Sequence, residues 1–241
     1  MTTETASDSS LDPKRPRGLV VAIDGPAGAG KSTVARHLAA RFGLLNLETG
    51  AMYRAFALKA RRMALQFDNE EALARLSRTT MLTLAQQPDG NRVLLDGEDV
   101  TSLLRSPEIT EAASRVSVHP QIRAWMVARQ QELGAHGGVV MEGRDIGTVV
   151  FPEADVKIFL DASPEVRGQR RFEQTGNTPA ARPSDEVAKE LRARDERDRN
   201  RAVSPLRPAA DAIILDSTYL TLEEVLLHAE EIVRAALASG S

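Results

Sequence analysis

Cysteine is absent from this chain of 241 residues, and histidine is rare. Without cysteine the chain cannot form disulfide bonds or thiolate metal sites, and it has no cysteine nucleophile. The four histidines are scattered without the spacing of metal ligands, so we interpret them as ordinary surface or packing residues: His37, His119, His136 and His228.

Long apolar runs are absent as well. No segment approaches the ~18 consecutive apolar residues that a membrane span needs. Residues 1–17 lack the apolar core of a secretory signal. We therefore expect a soluble, cytoplasmic protein with a disordered leader over residues 1–17 and no membrane partner.

The charge pattern gives no general attraction to nucleic acid. The chain has 31 basic and 34 acidic residues, a formal net charge of −3, so we expect no nucleic-acid partner. Lysine is rare, since the basic residues are five lysines and 26 arginines. An excess of arginine suits a site that holds phosphate groups bidentately, but a codon bias would give the same composition.

Residues 25–32 read Gly-Pro-Ala-Gly-Ala-Gly-Lys-Ser and fit the phosphate-binding pattern Gly-x-x-x-x-Gly-Lys-Ser/Thr. The pattern predicts that Lys31 lies along the β- and γ-phosphates of a nucleoside triphosphate and that the Ser32 hydroxyl holds Mg²⁺. The residues predicted to bind this nucleotide are Gly25, Pro26, Ala27, Gly28, Ala29, Gly30, Lys31, Ser32 and Thr33.

The residues around this loop have the expected pattern. Leu19–Ile23 is an unbroken apolar run, typical of a strand buried in a parallel sheet. After the loop, Val34, Leu38 and Phe42 recur every four residues, and Gly43 is a helix stop. A strand, a glycine loop and a helix N-terminus in this order form an anion-binding site.

Strand and helix signals alternate along most of the chain, which predicts an α/β fold with an open parallel sheet flanked by helices. Ser163-Pro164 and the pair Thr221/Glu224 are helix-start signals. The further predicted strands are a short one before Glu48, Val139–Glu142, Val156–Leu160 and Ala212–Leu215.

Two regions interrupt this alternation. Residues 67–105 contain the β-like runs Met81–Ala85 and Arg92–Leu95 with turn signals at Asp89-Gly90 and Asp96-Gly97, which predicts a small antiparallel insert.

Residues 173–184 have loop composition between two predicted helices, which suits a lid. Three arginines just before this loop could add positive charge when a lid closes: Arg167, Arg170 and Arg171.

The signals of a hydrolase are missing. Asp161 and Asp216 end strand-like runs, but no glutamate that would activate water follows either of them, so we interpret both as strand ends. A guanine-reading Asn/Thr-Lys-x-Asp is also missing. These absences favour phosphoryl transfer to a second substrate over hydrolysis.

The charged run 192–201 has Arg194, Asp198 and Arg201 at steps of four and three, so on a helix they share one face. Such a run by itself is typical of a solvated helix with ion pairs. Two polar motifs, 48–54 and 143–147, each follow a predicted strand, where ligands bind in open α/β sheets. Together these motifs predict a pocket for a phosphate and a sugar.

Four motifs, in order and correctly spaced, resemble those of the bacterial cytidylate kinases, which are P-loop nucleoside monophosphate kinases. The resemblance covers roughly residues 19–238, with the small departure that Glu48 stands where the family more often has aspartate. The four motifs are Asp24–Thr33, Thr49–Arg54, Gly143–Pro152 and Arg194–Arg201.

The resemblance implies a kinase domain over 18–241, with a mixed α/β substrate-binding insert at about 67–118 and a lid at about 172–184. It implies that Thr49 and Tyr53 line the monophosphate pocket. It further implies that the acceptor phosphate is held by Arg54, Arg144 and Arg201. The cytosine would be bound by Ser114, Arg123 and Asp145, and the ribose hydroxyls would be bound by Arg194 and Asp198. The implied catalytic residues are Lys31, Arg144, Asp145, Arg171 and Arg201.

The implied activity is direct in-line transfer of the γ-phosphoryl group of ATP to CMP or dCMP with Mg²⁺, in nucleotide salvage and pyrimidine metabolism. Two alternatives stay open. One is a kinase for another acceptor, such as UMP, dTMP or shikimate. The other is a nucleotide-dependent switch or binding protein. We expect a monomer.

Overall fold

The structure is a computed structural model and describes residues 18–87, 90–175 and 184–239. The predicted leader 1–17, Asp89 of one predicted turn and most of the predicted lid loop lie outside these residues. The strands are β1 (Val20–Asp24), β2 (Leu45–Glu48), β3 (Leu82–Gln87), β4 (Gly90–Leu95), β5 (Glu98–Asp99), β6 (Val139–Glu142), β7 (Val156–Asp161) and β8 (Ile213–Asp216).

The α-helices alternate with these strands over much of the chain. A 3₁₀-helix covers Thr101–Leu103, and a π-helix covers Ile146–Val150. The α-helices are α1 (Lys31–Phe42), α2 (Thr49–Arg62), α3 (Glu70–Arg78), α4 (Pro107–Val116), α5 (Pro120–Leu133), α6 (Pro164–Thr175), α7 (Ser184–Arg199) and α8 (Leu222–Ser239).

Five parallel strands form the main sheet, in the order β2-β6-β1-β7-β8. The central strand β1 is buried along its whole length. Its side chains alternate between two apolar layers: Val21 and Ile23 pack with α1 and α8, and Val20 and Ala22 pack towards α5 and the π-helix. The predicted α/β fold with an open parallel sheet is confirmed.

Local signals in the sequence place most element ends within a residue or two. Gly43 ends α1 in the left-handed conformation. The Ser163 hydroxyl accepts a hydrogen bond from the Val166 N–H at the start of α6. Thr221 and Glu224 form the predicted reciprocal capping box before α8. Several strands shift by one or two residues: β1 and β8 each start one residue later than predicted and end one residue later, and β7 ends one residue later, at Asp161.

The predicted antiparallel insert is present as the sheet β3-β4-β5. Its second turn, Asp96-Gly97, has both residues in the left-handed conformation. Helix α3 precedes this sheet and α4 follows it, so the insert is mixed α/β. It packs on α2 through two apolar clusters, which fix its position beside the main sheet.

Helices α6 and α7 flank the predicted lid loop, as expected, and pack against each other. Residues 176–183 between them lie outside the described part of the chain, so the lid stays a prediction. Within the three described ranges, no helix combines the length and apolar character needed to cross a membrane.

Candidate active site

The glycine loop connects the carboxyl end of β1 to the first turn of α1. A side chain at Gly25 would collide with the carbonyl oxygen of Leu160 on β7, so only glycine fits there. Gly28 and Gly30 have φ angles of 79° and 98°, a region that L side chains rarely adopt. The glycines therefore allow the loop to turn tightly and to start α1 with its N–H groups exposed to an anion.

Lys31 is buried at the start of α1, and its Nζ donates a hydrogen bond of 2.7 Å to the carbonyl oxygen of Pro26. Burial, reinforced by the nearby guanidinium of Arg144, lowers the pKa of Lys31 from 10.5 to about 7, although the carboxylate of Glu142 opposes this shift. The ammonium group is thus only marginally stable as a cation here, and a phosphate would restore its charge.

Ser32 and Glu142 form a close contact beside this lysine. The Ser32 hydroxyl donates a hydrogen bond of 2.6 Å to Oε1 of Glu142, which is buried as the last residue of β6. Oxygen donors of these two kinds are the ligands that Mg²⁺ takes in nucleotide sites, so the pair fits that ion. Sequence reasoning predicted Ser32 but missed Glu142; the available signal was its position at a strand end just before Gly143.

Arg123 and Asp145 form an ion pair with both side chains almost completely buried. The Arg123 guanidinium also lies 5.9 Å from the centre of the Tyr53 ring. Burial raises the pKa of Tyr53 to about 12, and its hydroxyl has no hydrogen-bond partner among the described residues. Arg123 is therefore a buried residue in contact with Asp145 and Tyr53, although its position in the sequence of α5 is typical of a surface residue.

Ser114 lies on α4 and is also buried. Nη2 of Arg197 is 3.4 Å from its hydroxyl oxygen, which is a long hydrogen bond. The three residues predicted to bind cytosine thus come from α4, α5 and the segment after β6. All three are buried, as expected for groups that read a base edge.

Arg144, Arg194 and Arg201 surround the carboxylate of Asp198. Nε of Arg144 donates a hydrogen bond of 2.9 Å to Asp198, and Nη1 of Arg201 is 3.6 Å from it. Burial, with Arg144 nearby, lowers the pKa of Arg194 to about 10. Burial alone would raise the pKa of Asp198, but Arg144 and Arg201 outweigh it and hold this pKa below its ordinary value. Three cations around one anion leave positive charge for an anionic ligand.

One detail of this group differs from the sequence prediction. Arg201 was expected on the same helix as Arg194 and Asp198, but α7 ends at Arg199. The helix ends early because the chain turns back, and the N–H of Leu206 bonds to the carbonyl oxygen of Asp198. This turn still brings Arg201 to Asp198.

The motif after β2 reaches the same edge of the sheet. Thr49 donates a hydrogen bond of 2.8 Å to the carbonyl oxygen of Glu142, which links α2 to β6. Arg54 pairs with Glu48, so the carboxylate at the departure from the family pattern orients a predicted phosphate ligand. Thr49, Tyr53 and Arg54 all lie in the first two turns of α2, near the end of β6.

The arginines of α6 are placed differently from the prediction. Arg167 is buried and donates to the carbonyl oxygens of Ala27 and Ala162. Arg170 donates to Ser217, beyond β8. In this structure both side chains are thus occupied with bonds to other parts of the chain, and their predicted contribution to a closed lid stays a prediction. Arg171 is exposed on α6.

Asp24, which sequence reasoning did not assign, links the two halves of the site. This buried carboxylate accepts hydrogen bonds of 2.8 and 2.7 Å from the N–H groups of Ile146 and Gly147, at the start of the π-helix. Burial raises the pKa of Asp24 to about 6, although these two bonds lower it. Asp24, which lies just before the glycine loop, therefore holds in place the backbone of Ile146 and Gly147, just after Asp145.

Comparisons with known proteins agree with this geometry. The family model described as cytidylate kinase matches residues 21–235. A curated cytidylate kinase of Solibacter usitatus (strain Ellin6076) is 47% identical over 231 residues, covering 95% of this chain and 97% of that protein. A curated cytidylate kinase of Geobacillus sp. (strain WCH70) is 49% identical, covering 88% of this chain and 95% of that protein. A curated cytidylate kinase of Pasteurella multocida (strain Pm70) is 46% identical, covering 88% of this chain and 93% of that protein.

Proposed function

The chain belongs to the cytidylate kinase family, and on this premise we propose that it transfers the γ-phosphoryl group of ATP to CMP, giving CDP and ADP. One observation carries the proposal. The glycine loop follows the carboxyl end of β1, and Arg144-Asp145 follows the carboxyl end of β6, which pairs directly with β1. The two motifs therefore follow neighbouring strands at the edge of the sheet where ligands of open α/β folds bind, which supports a donor loop beside an acceptor pocket.

The donor half of the site is formed by residues 25–33. The backbone N–H groups of the glycine loop and the start of α1 receive the phosphates of ATP. Lys31 moves from Pro26 to the β- and γ-phosphates, where its charge is stabilised. The supporting observation is that burial leaves this lysine only marginally charged until an anion approaches.

Mg²⁺ is proposed to be held by the Ser32 hydroxyl, with Glu142 beside it. When bound, the ion neutralises negative charge on the β- and γ-phosphates. The carboxylate of Glu142 orients the Ser32 hydroxyl through their hydrogen bond and leaves a second oxygen for an ion or its water shell.

The acceptor phosphate is proposed to bind Arg54, Arg144 and Arg201, with Thr49 and Tyr53 completing its pocket. A guanidinium group binds phosphate oxygens with two parallel hydrogen bonds, so these arginines can orient the attacking oxygen. The Tyr53 hydroxyl has no hydrogen-bond partner in the described part of the chain and lies close enough to Arg201 to be affected by its charge, so it is a further available donor.

Cytosine is proposed to be read by Ser114, Arg123 and Asp145. A carboxylate at Asp145 accepts a hydrogen bond from the exocyclic amino group, which uracil lacks, and Arg123 donates to ring acceptors. The buried pair is already positioned for this, so binding costs little side-chain ordering. Asp198 and Arg194 are proposed to bind the ribose hydroxyls, since a carboxylate accepts from two neighbouring hydroxyl groups.

The transfer itself needs no covalent intermediate. An oxygen of the α-phosphate of CMP attacks the γ-phosphorus in line, and the bond from that phosphorus to the β–γ bridging oxygen breaks. The acceptor oxygen is already anionic near neutral pH, so catalysis consists of positioning and charge neutralisation. Arg171 is the further residue proposed to reach the transferring group, from α6.

The test is a coupled assay of ADP release with Mg-ATP, in which CMP, dCMP, UMP, AMP, GMP and dTMP are offered separately. We expect fast turnover with CMP and dCMP, weak turnover with UMP and negligible turnover with the others. Fast turnover with another acceptor alone would reject the assignment of Ser114, Arg123 and Asp145 to cytosine. No turnover with any acceptor, from a protein that binds ATP, would favour a nucleotide-dependent switch.

The monomeric state, the cytoplasmic location and the absence of a nucleic-acid partner stay predictions from the sequence. The domain limits of the insert and the lid stay predictions in the same sense.

A further inference from the structure

Ala27 in the glycine loop is held at both of its backbone polar groups by side chains from outside the loop. Its carbonyl oxygen accepts a hydrogen bond of 2.8 Å from Nη1 of Arg167. Its N–H donates to Oδ1 of Asp195 over 3.4 Å. Sequence reasoning did not assign Asp195 a role, and it placed Arg167 with the arginines of a lid.

Arg167 and Asp195 also bind each other. Nη2 of Arg167 is 2.6 Å from Oδ2 of Asp195, and the exposed fractions of the two side chains are 2% and 5%. Nε of Arg167 donates to the carbonyl oxygen of Ala162, just after β7. Arg167 thus uses all three of its nitrogen positions, which a lysine could not do with its single ammonium.

Both contacts set the orientation of peptide planes in the loop. In a trans peptide the C=O and the following N–H point in opposite directions. When Arg167 binds the carbonyl oxygen of Ala27, it therefore turns the N–H of Gly28 to the other side of the loop. When Asp195 binds the N–H of Ala27, it turns the carbonyl oxygen of Pro26 away from itself, and that oxygen accepts from Lys31.

The two side chains come from the two helices that flank residues 176–183. Arg167 lies on α6 and Asp195 on α7. The same helices form a wall against the loop, since a Cβ at Gly28 would lie 3.4 Å from Cβ of Arg167 and 3.6 Å from Cδ1 of Leu191. The packing of α6 on α7 is therefore transmitted directly to the backbone of the glycine loop.

We propose that Arg167 and Asp195 are positioning residues for the ATP-binding loop, which hold Ala27 so that the N–H of Gly28 and the ammonium of Lys31 are set for the phosphates. The inference rests on the proposed binding of ATP at residues 25–33. It assigns the pair to the donor half of the site and predicts that its loss weakens ATP binding with little effect on CMP binding.

The first experiment measures the Michaelis constants of the full-length Asp195→Asn and Arg167→Met variants. We expect the constant for ATP to rise about tenfold, since small displacements of binding groups have effects of this size, and the constant for CMP to change less than about twofold. Calorimetric titration with a non-hydrolysable ATP analogue in the absence of CMP should show the same loss of affinity. Equal changes for ATP and CMP would overturn the proposal.

A buried charge without its partner also destabilises the fold, so a double variant separates stability from positioning. Arg167→Met with Asp195→Asn leaves no buried charge unpaired, and we expect its Tm to return towards that of the wild type. The donor to the Ala27 carbonyl oxygen is still missing, so we expect the ATP affinity to stay low. If ATP affinity recovers together with Tm, the pair has only a structural role and the proposal fails.

The matched control is Arg192→Gln. Arg192 on α7 pairs with Glu165 on α6, so it also joins the two helices, but both side chains are largely exposed and neither bonds to Ala27. We expect its Michaelis constants to equal those of the wild type. Wild-type protein that releases no ADP with CMP would reject the proposed function, whereas active wild type with unaltered ATP affinity in all variants would reject only the positioning role.

Discussion

The guanidinium of Arg123 and the carboxylate of Asp145 bind each other with exposed fractions of only 2% and 8%. Arg123 lies on α5, and Asp145 follows β6, so the pair connects the helical layer beside the insert to the edge of the main sheet. Its two partners hold opposite charges in a site where water is scarce. The pair therefore offers one fixed acceptor and one fixed donor to a ligand.

The first prediction concerns base recognition. Arg123→Ala should raise the Michaelis constant for CMP about 100-fold and that for ATP less than about threefold, because a polar group in the pocket is left unpaired. Steady-state kinetics with each substrate varied in turn measures this. Arg129→Ala is the control on the same helix, since Arg129 is half exposed and pairs only with Glu132 in the described residues. Equal effects on both substrates would contradict the cytosine assignment.

The second prediction concerns the lysine of the glycine loop. Lys31→Ala should lower kcat about 10³-fold or more with the fold retained, because the transferred charge loses its nearest cation. The measurement is turnover together with Tm. A variant that keeps a tenth of normal turnover would reject the assigned role of Lys31.

The third prediction is that ATP binding takes up a proton. The pKa of free Lys31 is about 7, and phosphates return it towards 10.5. At pH 8 most of the free lysine is neutral, so binding should take up about 0.9 proton, and at pH 6 about 0.1. Calorimetry in buffers of different ionisation enthalpy measures the number, and Lys31→Ala should lose the uptake at pH 8. A pH-independent value in the wild type would contradict the lowered pKa.

The fourth prediction concerns stability against pH. The folded pKa of Asp24 is about 6 and lies above the unfolded value of 3.8, so the folded chain binds this proton more tightly. The stabilisation from Asp24 is therefore complete below pH about 4 and is lost as the pH rises through 6. Relative to Asp24→Asn, the wild type should lose about 3 kcal/mol of unfolding free energy over this range.

Urea unfolding of both proteins at pH values between 4 and 7 measures this difference. Other carboxyl groups titrate in both proteins, so they cancel in the comparison. A difference between wild type and Asp24→Asn that does not change with pH would show that Asp24 has the same pKa in the folded and unfolded chain and would reject the raised pKa.

The fifth prediction concerns the metal ion. Glu142→Gln keeps an acceptor for the Ser32 hydroxyl but removes the charge beside it, so the Mg²⁺ concentration for half-maximal activity should rise about tenfold. Titration of activity with Mg²⁺ at saturating ATP and CMP tests this. Glu230→Gln, a variant at the α1–α8 surface, should leave the Mg²⁺ requirement unchanged. An unchanged requirement in Glu142→Gln would remove that residue from the metal site.

The sequence predicts the parts of this structure that depend on neighbouring residues. The glycine loop, the alternation of strands and helices and the capping box before α8 follow from local patterns. The contacts of Glu142, Asp24 and Arg167 do not, because their partners lie 110 to 140 residues away along the chain. The local repeat of apolar residues that predicts helices and strands carries no information about pairs this far apart in the sequence.

The helix ending before Arg201 depends on both local and distant residues. The spacing of Arg194, Asp198 and Arg201 predicts a helix through Arg201, but Asn200 within the run is a residue type that commonly follows the end of a helix. The helix ends at Arg199, and the chain after it turns back along the helix. Leu206 is buried in this turn, and its N–H donates a hydrogen bond to the carbonyl oxygen of Asp198. The tertiary contact of Leu206 thus acts together with a local stop residue to end the helix.

The central strand of the sheet has a consequence for folding during synthesis. Val20 of β1 pairs with Val139, and Val21 pairs with Val156, so both neighbours of the first strand are made long after it. During synthesis, the residues of β1 therefore have neither β6 nor β7 to pair with while the whole insert emerges from the ribosome. Because closing such long loops costs entropy and slows folding, we expect β1 to gain its neighbours β6 and β7 late. The glycine loop packs against Leu160 of β7, so we expect a truncated chain that ends before β7 to lack the finished loop.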